Sequence, residues 1–256
     1  MYIEMKKTLL ALMLMVGGLA ASAQYFCTDQ GKVMLYKAVD KSGKDSVESV
    51  IQATTVGVET AADGKISVRL QEIQSDPDNP LAEIKTYSTY IYDPQTDVST
   101  IIPMSADDFK NFILTMIKDA AAANGQYMSE MDLADIEKVM STKGQIEFTI
   151  DPKAEVGSKI PNSTLRLSAG QLSMSMNFWE GKFLGAESVT TEAGTFDCVK
   201  ISYVMRTSSP NGNEKRNVTA WYAKGIGLVR SVDTDKKGDI TAEQNLFVIK
   251  EPNPAE

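Results

Sequence analysis

The side chains of this chain that could do chemistry are its carboxylates and two cysteines, because its 256 residues include no histidine. Histidine is the commonest general base near neutral pH and a member of the serine and cysteine catalytic triads, so those mechanisms are excluded. A pair of carboxylates can still hydrolyse a glycoside, but such a pair has no characteristic sequence spacing. The sequence therefore predicts a protein that is not an enzyme, with a carboxylate-based hydrolase as the remaining alternative.

A glycine pair in the C-terminal third, Gly225 and Gly227, raises the question of a phosphate-binding loop. Phosphate cradles place their glycines between a strand and the N-terminus of a helix. The residues after Gly227 read "LVRSV", which is typical of a strand. We therefore interpret the pair as a tight turn or bulge between two strands. The preceding Trp221 and Tyr222 then point to opposite faces, one into the core and the other towards the surface.

The segment "DTDKKGDITAEQ", from Asp233 to Gln244, resembles a calcium-binding loop in part. Its acidic residues and glycine match several EF-hand positions, but Lys237 occupies position five and Gln244 occupies position twelve, where a bidentate glutamate is needed. The flanking residues are typical of strands and not of helices. The segment predicts a hairpin turn, and we predict neither a metal site nor a cofactor for the chain.

The N-terminus has the pattern of a secretory signal. Lys6 and Lys7 precede the apolar stretch "TLLALMLMVGGLA", and "ASA" then supplies the small residues that a signal peptidase reads. A helix that spans a bilayer needs about 20 apolar residues, so this stretch is too short to be one. We predict a signal peptide over residues 1–23, cleaved before Gln24, and one β-rich domain over residues 24–256. The protein is expected in the periplasm or at the cell surface of a Gram-negative bacterium.

The charge of the chain bears on its partners. The formal net charge is −8, from 34 acidic and 26 basic residues, and no basic stripe with interleaved aromatic residues occurs. Such a surface repels phosphate backbones, so nucleic-acid binding is excluded.

The two cysteines, Cys27 and Cys198, lie far apart in the sequence. In an exported protein the oxidising compartment favours a disulfide between them, and the alternative is two buried thiols.

Most of the chain reads as strands separated by turns. "KVMLYKAV" and "ISVRLQEI" alternate apolar and polar residues, and segments rich in Asp, Gly, Asn and Pro punctuate the strands. The pattern predicts a mainly β protein with a single curved antiparallel sheet, or half-barrel, of about ten strands. A closed β-barrel or a β-sandwich is the alternative architecture.

Two helices interrupt the strands at about residues 105–143. Ser105 is a predicted N-cap of the first helix, and Ser129 with Asp132 resembles the capping box of the second. Gly144 is at the position of a helix C-terminal glycine. The segment predicts a helical hairpin inserted into the sheet.

A methionine-rich strand and the first helix supply the predicted ligand site. Methionine fills irregular apolar space and adapts to varied ligands. We predict that these residues bind an apolar or amphipathic, lipid-type ligand between sheet and helices; on the strand they are Leu172, Met174, Met176 and Phe178, and on the helix Phe112 and Met116. Ordinary core packing is the alternative interpretation of the same residues. The alternative function is a structural or interaction module of the cell envelope, with a solid core and an envelope protein as partner.

The C-terminal third resembles a known family. "EAGTFDCVKISYVMRT" and "AWYAKGIGLVRSVDT" resemble the TapB-like family of exported bacterial proteins. The matching residues are Gly194, Phe196, Cys198, Lys200, Ile201, Trp221, Tyr222, Gly225, Gly227, Leu228, Val229 and Arg230. The resemblance implies an antiparallel β domain in the cell envelope with no established activity and no catalytic residues. Its architecture is similar to the half-barrels of periplasmic lipoprotein carriers, which hold acyl chains on a concave face.

Overall fold

The computed structural model describes residues 24–41, 46–75, 83–170, 172–209 and 212–252. The predicted signal peptide over residues 1–23 lies outside the described residues. Within the described part of the chain, no helix is long and apolar enough to cross a lipid bilayer.

In the described residues the chain forms thirteen β-strands and two α-helices. The first five strands are β1 (Val33–Asp40), β2 (Val47–Thr60), β3 (Ile66–Ser75), β4 (Glu83–Asp93) and β5 (Val98–Met104). The helices α1 (Ala106–Ala123) and α2 (Glu130–Val139) follow. The remaining strands are β6 (Met140–Ile150), β7 (Lys159–Ile160), β8 (Ser163–Ala169), β9 (Leu172–Thr191), β10 (Gly194–Ser209), β11 (Gly212–Ala223), β12 (Gly227–Thr234) and β13 (Ile240–Lys250).

The strands belong to one curved antiparallel sheet, so the predicted fold class is confirmed. The strand order is β10-β11-β12-β13-β1-β2-β3-β4-β5-β6-β8-β9-β7, and β9, the last strand but one, also pairs with β10 at the start of this order. The described residues form thirteen strands instead of the predicted ten or so. One reason is that the stretch from Ser163 to Gly181 reads as a single strand but forms β8 and the start of β9. The chain turns at Gly170, whose φ of +59° a glycine adopts readily.

The alternation of side chains along the strands divides the core between two faces. The inner face and α1 form the main core, whose fully buried members include Phe26, Met34, Ile146, Leu165 and Phe178. The opposite face holds a smaller cluster around Trp221. Because strand residues point alternately to the two faces, the neighbours Trp221 and Tyr222 belong to different clusters.

The segment before β1 is part of the main core, which sequence patterns did not indicate. Tyr25, Phe26 and Cys27 are all buried. The Tyr25 amide donates a hydrogen bond to Ser99 Oγ at 3.2 Å, and the Gly225 amide donates to the Gln24 carbonyl oxygen at 2.8 Å. The residues next to the predicted cleavage site are thus held by two distant parts of the chain.

The predicted disulfide is not formed, because Cys27 and Cys198 are free thiols. Cys27 lies in the main core, whereas Cys198 belongs to the cluster on the opposite face of the sheet. Each thiol has a local hydrogen-bond partner: the Asp29 amide donates to Cys27 Sγ, and Cys198 Sγ donates to the Phe196 carbonyl oxygen. Burial raises the pKa of both thiols, and with Asp197 and Glu187 nearby it raises that of Cys198 to about 11. Both cysteines are therefore unreactive core residues.

The helices begin as the sequence predicts. Ser105 Oγ accepts a hydrogen bond from the Asp108 amide, and Ser129 with Asp132 forms a complete capping box. The second helix ends at Val139, however, because Met140 already belongs to β6. Gly144 lies inside β6 at a φ of +79°, where an added Cβ would come within 2.1 Å of the Thr164 carbonyl oxygen. The assignment of Gly144 to a helix end is therefore wrong, and its glycine is required by a close approach of two strands.

Candidate functional site

One candidate site is a cleft of about 870 Å³ between α1 and the first half of β4, lined also by Arg69 of β3 and Met104 of β5. We call it the helix cleft. Its apolar side, which we call the carbon wall, consists of the side chains of Ile84, Met104, Phe112 and Met116. Its polar residues include Arg69, Glu83, Lys85, Asp108, Asn111 and Asp119.

The carbon wall follows from the way α1 packs. Phe109 and Ile113 of α1 are buried in the main core. Phe112 and Met116, which lie four residues apart on the helix, line the helix cleft, and Phe112 also packs against the main core. Met116 is 53% exposed and Ile84 is 39% exposed, so this wall is open to solvent. Large apolar side chains that are exposed in this way are suited to bind the apolar part of a ligand.

The polar edge of the helix cleft is held by an ion pair between Arg69 and Asp108. The guanidinium donates to both carboxylate oxygens, with a distance of 2.9 Å from Nη1 to Oδ2, and the Ser105 hydroxyl donates to Oδ2 as well. Burial alone would raise the pKa of Asp108, but the hydrogen bonds from Arg69 and Ser105 outweigh it and lower that pKa. Arg69 also packs over the Tyr87 ring, 4.7 Å from its centroid. The guanidinium is therefore fixed and already neutralised.

The structure divides the six residues of the predicted ligand site. Phe112 and Met116 line the helix cleft. Phe178 is fully buried and stacks on Phe148 and Tyr203, with ring centroids 5.2 and 4.6 Å away. Met174 and Met176 are partly buried and pack against the main core, away from the cleft wall; the side chain of Leu172 lies outside the described part of the chain. Among the described side chains of the predicted site, Met174, Met176 and Phe178 are thus not part of the lining of the helix cleft.

The aromatic residues Trp221 and Tyr222, near the end of β11, both have a structural role. Trp221 is covered by Lys200 and Arg230, whose charged groups lie 5.0 and 5.4 Å from its ring, and its Nε1 donates to Glu187. Tyr222 is buried in the main core. Both residues are therefore buried, whereas the sequence placed one near the surface. The cations on the flanking strands supply the cover that the sequence pattern does not reveal.

The turn after this pair contains Gly225 and Gly227, with φ values of +69° and +108°. It connects β11 to β12, and no helix follows it. The Gly225 amide is used by the Gln24 carbonyl oxygen. Gly227 lies next to the backbone of Tyr25 and Phe26. The glycine pair therefore accommodates the segment that precedes β1.

The segment that partly resembles a calcium loop forms the hairpin between β12 and β13. The carboxylate of Asp235 accepts from the amides of Lys237 and Asp239, at 2.7 and 3.0 Å. Among the described residues, no group of three or more acidic or cysteine side chains is arranged to hold a metal ion.

Comparisons with known proteins find a matching family model and solved structures with a similar fold. The family model with the description DUF3108-like matches residues 29–246. The crystal structure of a protein from Parabacteroides distasonis, described as a candidate lipoprotein, has a TM-score of 0.61 at 18% identity and covers 89% of this chain and 98% of its own. One from Bacteroides fragilis, described as a candidate exported protein with a YmcC-like fold, has a TM-score of 0.60 at 17% identity, with 88% and 98% covered. A search of curated proteins finds no match. Because both identities are low, the two structures are informative about the fold alone.

Proposed function

The chain belongs to the DUF3108-like family, and on this premise we propose that it is an exported, non-catalytic protein that binds an apolar or amphipathic, lipid-type ligand in the helix cleft. Export is supported by the signal pattern over residues 1–23, and the proposed location is the periplasm or the surface of a Gram-negative cell. Membership of the TapB-like group is part of the proposal and rests on the motif residues of the C-terminal third.

The observation that carries this proposal is the open carbon wall of the helix cleft. A volume of about 870 Å³ lies in the usual range for small-molecule sites, roughly 300–1,000 Å³. Phe112 and Met116 face this space from α1, and Ile84 and Met104 face it from the sheet. Removing an acyl chain from water against such a wall is favourable, by about 0.8 kcal/mol for each buried methylene group.

The charges around the helix cleft limit the polar part of the ligand. Arg69 is paired with Asp108, and Lys85 lies 3.2 Å from the carboxylate of Glu83. Asp119 adds a further acidic group to the lining. Since both cations are already neutralised, the cleft does not favour an anionic head group. An uncharged or zwitterionic head group fits this lining.

Native mass spectrometry and lipid extraction test the proposal on protein purified from its own cell envelope. The test compares the wild type with Met116→Asp, which puts a charge on the carbon wall, and with Met131→Asp as the matched control. Met131 is a methionine of α2, 74% exposed and outside the helix cleft. We expect lipid to copurify with the wild type and with Met131→Asp, and to be lost from Met116→Asp.

Two outcomes would contradict this function. If no lipid copurifies with the wild-type protein, the proposed lipid binding is rejected. Equal loss of lipid from Met116→Asp and Met131→Asp would show that the lipid adheres to exposed methionines in general and not to the helix cleft.

A second candidate function is a protein-interaction module, and the exposed face of the helical hairpin favours it. Tyr127 is 90% exposed, Met131 74% and Val139 64%. The helix α2 has ten residues and none of them is buried. Isolated helices shorter than about 12 residues are marginal in water, and most helices in proteins are stabilised by packing. A partner that covers these side chains would supply that packing.

The charge of α2 selects the kind of partner. The helix carries four carboxylates and one lysine, namely Glu130, Asp132, Asp135, Glu137 and Lys138. This balance disfavours an anionic membrane surface, and it also disfavours a second copy of the same acidic chain. We infer a partner protein with an apolar groove edged by lysine and arginine.

Site-specific photocrosslinking from position 127 in the cell envelope tests this second function. The crosslinked protein is identified and purified, and its affinity is measured for the wild type, Met131→Asp and the control Met116→Asp. We expect Met131→Asp to weaken binding by about tenfold or more, which is about 1.4 kcal/mol, and Met116→Asp to leave it unchanged. A purified partner that binds Met131→Asp as tightly as the wild type would reject the inference.

A further inference from the structure

A second cavity, of about 410 Å³, lies against the inner face of the sheet and differs from the helix cleft in its lining. We call it the polar cavity. It is bounded by the ends of β1, β2 and β3 and by β10 to β13. The side chains that characterise it are Ser49, Gln74, Tyr203, Arg216, Ser231 and Gln244.

Strand register explains why a space exists there. Ser49 of β2 pairs with Ala38 of β1, Ala38 pairs with Gln244 of β13, and Gln244 pairs with Ser231 of β12. These four residues therefore form one row across four strands, on the same face of the sheet. In this row the small Ala38 separates Ser49 from Gln244, and Gln244 is next to Ser231. Small residues between larger ones leave a space that the core does not fill.

The next row carries the charges and repeats the arrangement. Asp40 of β1 pairs with Ala242 of β13, which pairs with Asp233 of β12. Arg216 Nη1 lies 3.2 Å from Asp233 Oδ2, and Arg216 Nε lies 3.3 Å from Glu214 Oε1. The guanidinium thus already has two carboxylates beside it. Among the described residues, the lining of the cavity therefore offers no free positive charge to a phosphate or carboxylate ligand.

Glu243 also lines the cavity and is paired with Lys41 and Arg230, and the remaining polar groups are amides and hydroxyls. Gln74, Gln244, Ser49 and Ser231 can each donate and accept hydrogen bonds. Gln74 Nε2 donates to Ser49 Oγ at 3.0 Å, so these two side chains are held in place before any ligand arrives. A ligand hydroxyl, which also donates and accepts, is the natural complement of such a set.

The cavity also has carbon surfaces that suit the C–H faces of a ring. Tyr203 lines it while its own ring stacks on Phe178 at 4.6 Å, which fixes the orientation of the tyrosine. Met205 and Val218 also contribute to the apolar part of the lining. From this geometry we propose that the polar cavity binds a hydroxyl-rich small molecule of the monosaccharide class without a negative charge. This site is separate from the helix cleft and does not depend on lipid binding there.

Isothermal titration of the purified protein with glucose, N-acetylglucosamine, glucosamine and glucuronate tests the proposal. We expect saturable binding of at least one of the two neutral sugars, glucose and N-acetylglucosamine. Glucuronate should bind at least about tenfold more weakly than that sugar, or not at all. The absence of saturable binding for both neutral sugars would overturn the proposal. Binding of glucosamine alone would overturn it as well, because the carboxylates of Asp40 and Asp233 would then bind a cation.

Variants locate the binding in the cavity. Gln244→Ala and Ser231→Ala each remove hydrogen-bonding groups from the same row, and each is expected to weaken sugar binding by about tenfold. Gln52→Ala is the matched control. Gln52 pairs with Leu35 of β1, and its side chain points to the face of the sheet opposite to Ser49 and the polar cavity. Thermal melting establishes that all three variants are folded. Unchanged affinity in both cavity variants, or equal loss in Gln52→Ala, would reject the site.

Discussion

The helix cleft and the polar cavity each contain an arginine–aspartate pair, and the two pairs behave in opposite ways. In the helix cleft, the hydrogen bonds from Arg69 and Ser105 overcome the effect of burial and lower the pKa of Asp108. In the polar cavity, burial raises the pKa of Asp233, and Arg216 offsets this only in part. The nearby carboxylates of Glu214 and Asp40 raise it further. Identical residue types therefore have opposite tendencies to ionise.

The difference lies in the number of donors that each carboxylate receives. Asp108 occupies the first turn of α1, where the helix leaves backbone amides free and the N-cap Ser105 adds its hydroxyl. Asp233 lies near the end of β12, between β11 and β13, where the strand ladders use the backbone amides. One guanidinium nitrogen at 3.2 Å is its hydrogen-bond donor. The element that carries a carboxylate therefore decides how well its charge is stabilised.

The largest expected loss of stability comes from a substitution in the main core, at Phe178. Phe178 is fully buried and stacks on Tyr203, which lines the polar cavity. Phe178→Ala should lower the free energy of unfolding by about 3–5 kcal/mol, because it leaves a cavity in the core. Urea denaturation measures this loss. A loss below about 1 kcal/mol would mean that the aromatic stack does not support the fold.

Asp108→Asn should have the next largest effect, a loss of about 1–3 kcal/mol at neutral pH, since it removes charged hydrogen bonds. The pKa of Asp108 is lowered from its ordinary 3.8, so the folded state binds the proton less tightly than the unfolded state. The difference between wild type and variant should therefore be complete above pH 3.8 and disappear as the pH falls through the folded-state pKa. Urea denaturation over a pH series measures it. A difference that persists at the lowest pH would contradict the assignment.

Asp233→Asn should have the opposite sign in its pH dependence. The pKa of Asp233 is raised above 3.8, so the folded state binds the proton more tightly than the unfolded state. Wild-type stability should fall as the pH rises from 3.8 through the folded-state pKa, and the variant should lack this fall. At neutral pH we expect the variant to equal the wild type or exceed it by up to about 1 kcal/mol. The same pH series measures both variants, and curves of the same sign would end the contrast between the two pairs.

Met116→Asp should have the smallest effect on stability, within about 0.5 kcal/mol, because the side chain is more than half exposed. Thermal and urea unfolding measure it. This result would separate the carbon wall of the helix cleft from the folding core, in contrast to Phe178. A loss as large as that of Phe178→Ala would place Met116 in the core instead.

The local elements of the fold could be predicted because short-range patterns encode them. Alternating residues in β1 and β3 predict strands, and the caps Ser105 and Ser129 mark where both helices begin. The ligand site could be predicted only in part. Met174 and Phe178 share an apolar face with period two, and this pattern is the same for a ligand wall and for a packed core. The period-two pattern therefore identified the apolar face of the strand, but it did not indicate whether a ligand or the protein core covers that face.

The sequence by itself determined that the chain is mainly β, that a helical hairpin interrupts the sheet, and that histidine chemistry is absent. These properties depend on composition and on neighbours within a few residues. The tertiary structure decided the pairing of Arg69 with Asp108, the burial of Tyr25 to Cys27, the separation of the two thiols, and the polar row of Ser49, Gln244 and Ser231. Each joins residues that are distant in the chain through strand register or core packing. One sequence carries no local pattern for such contacts, because a one-residue change of register would point every side chain of a strand to the other face.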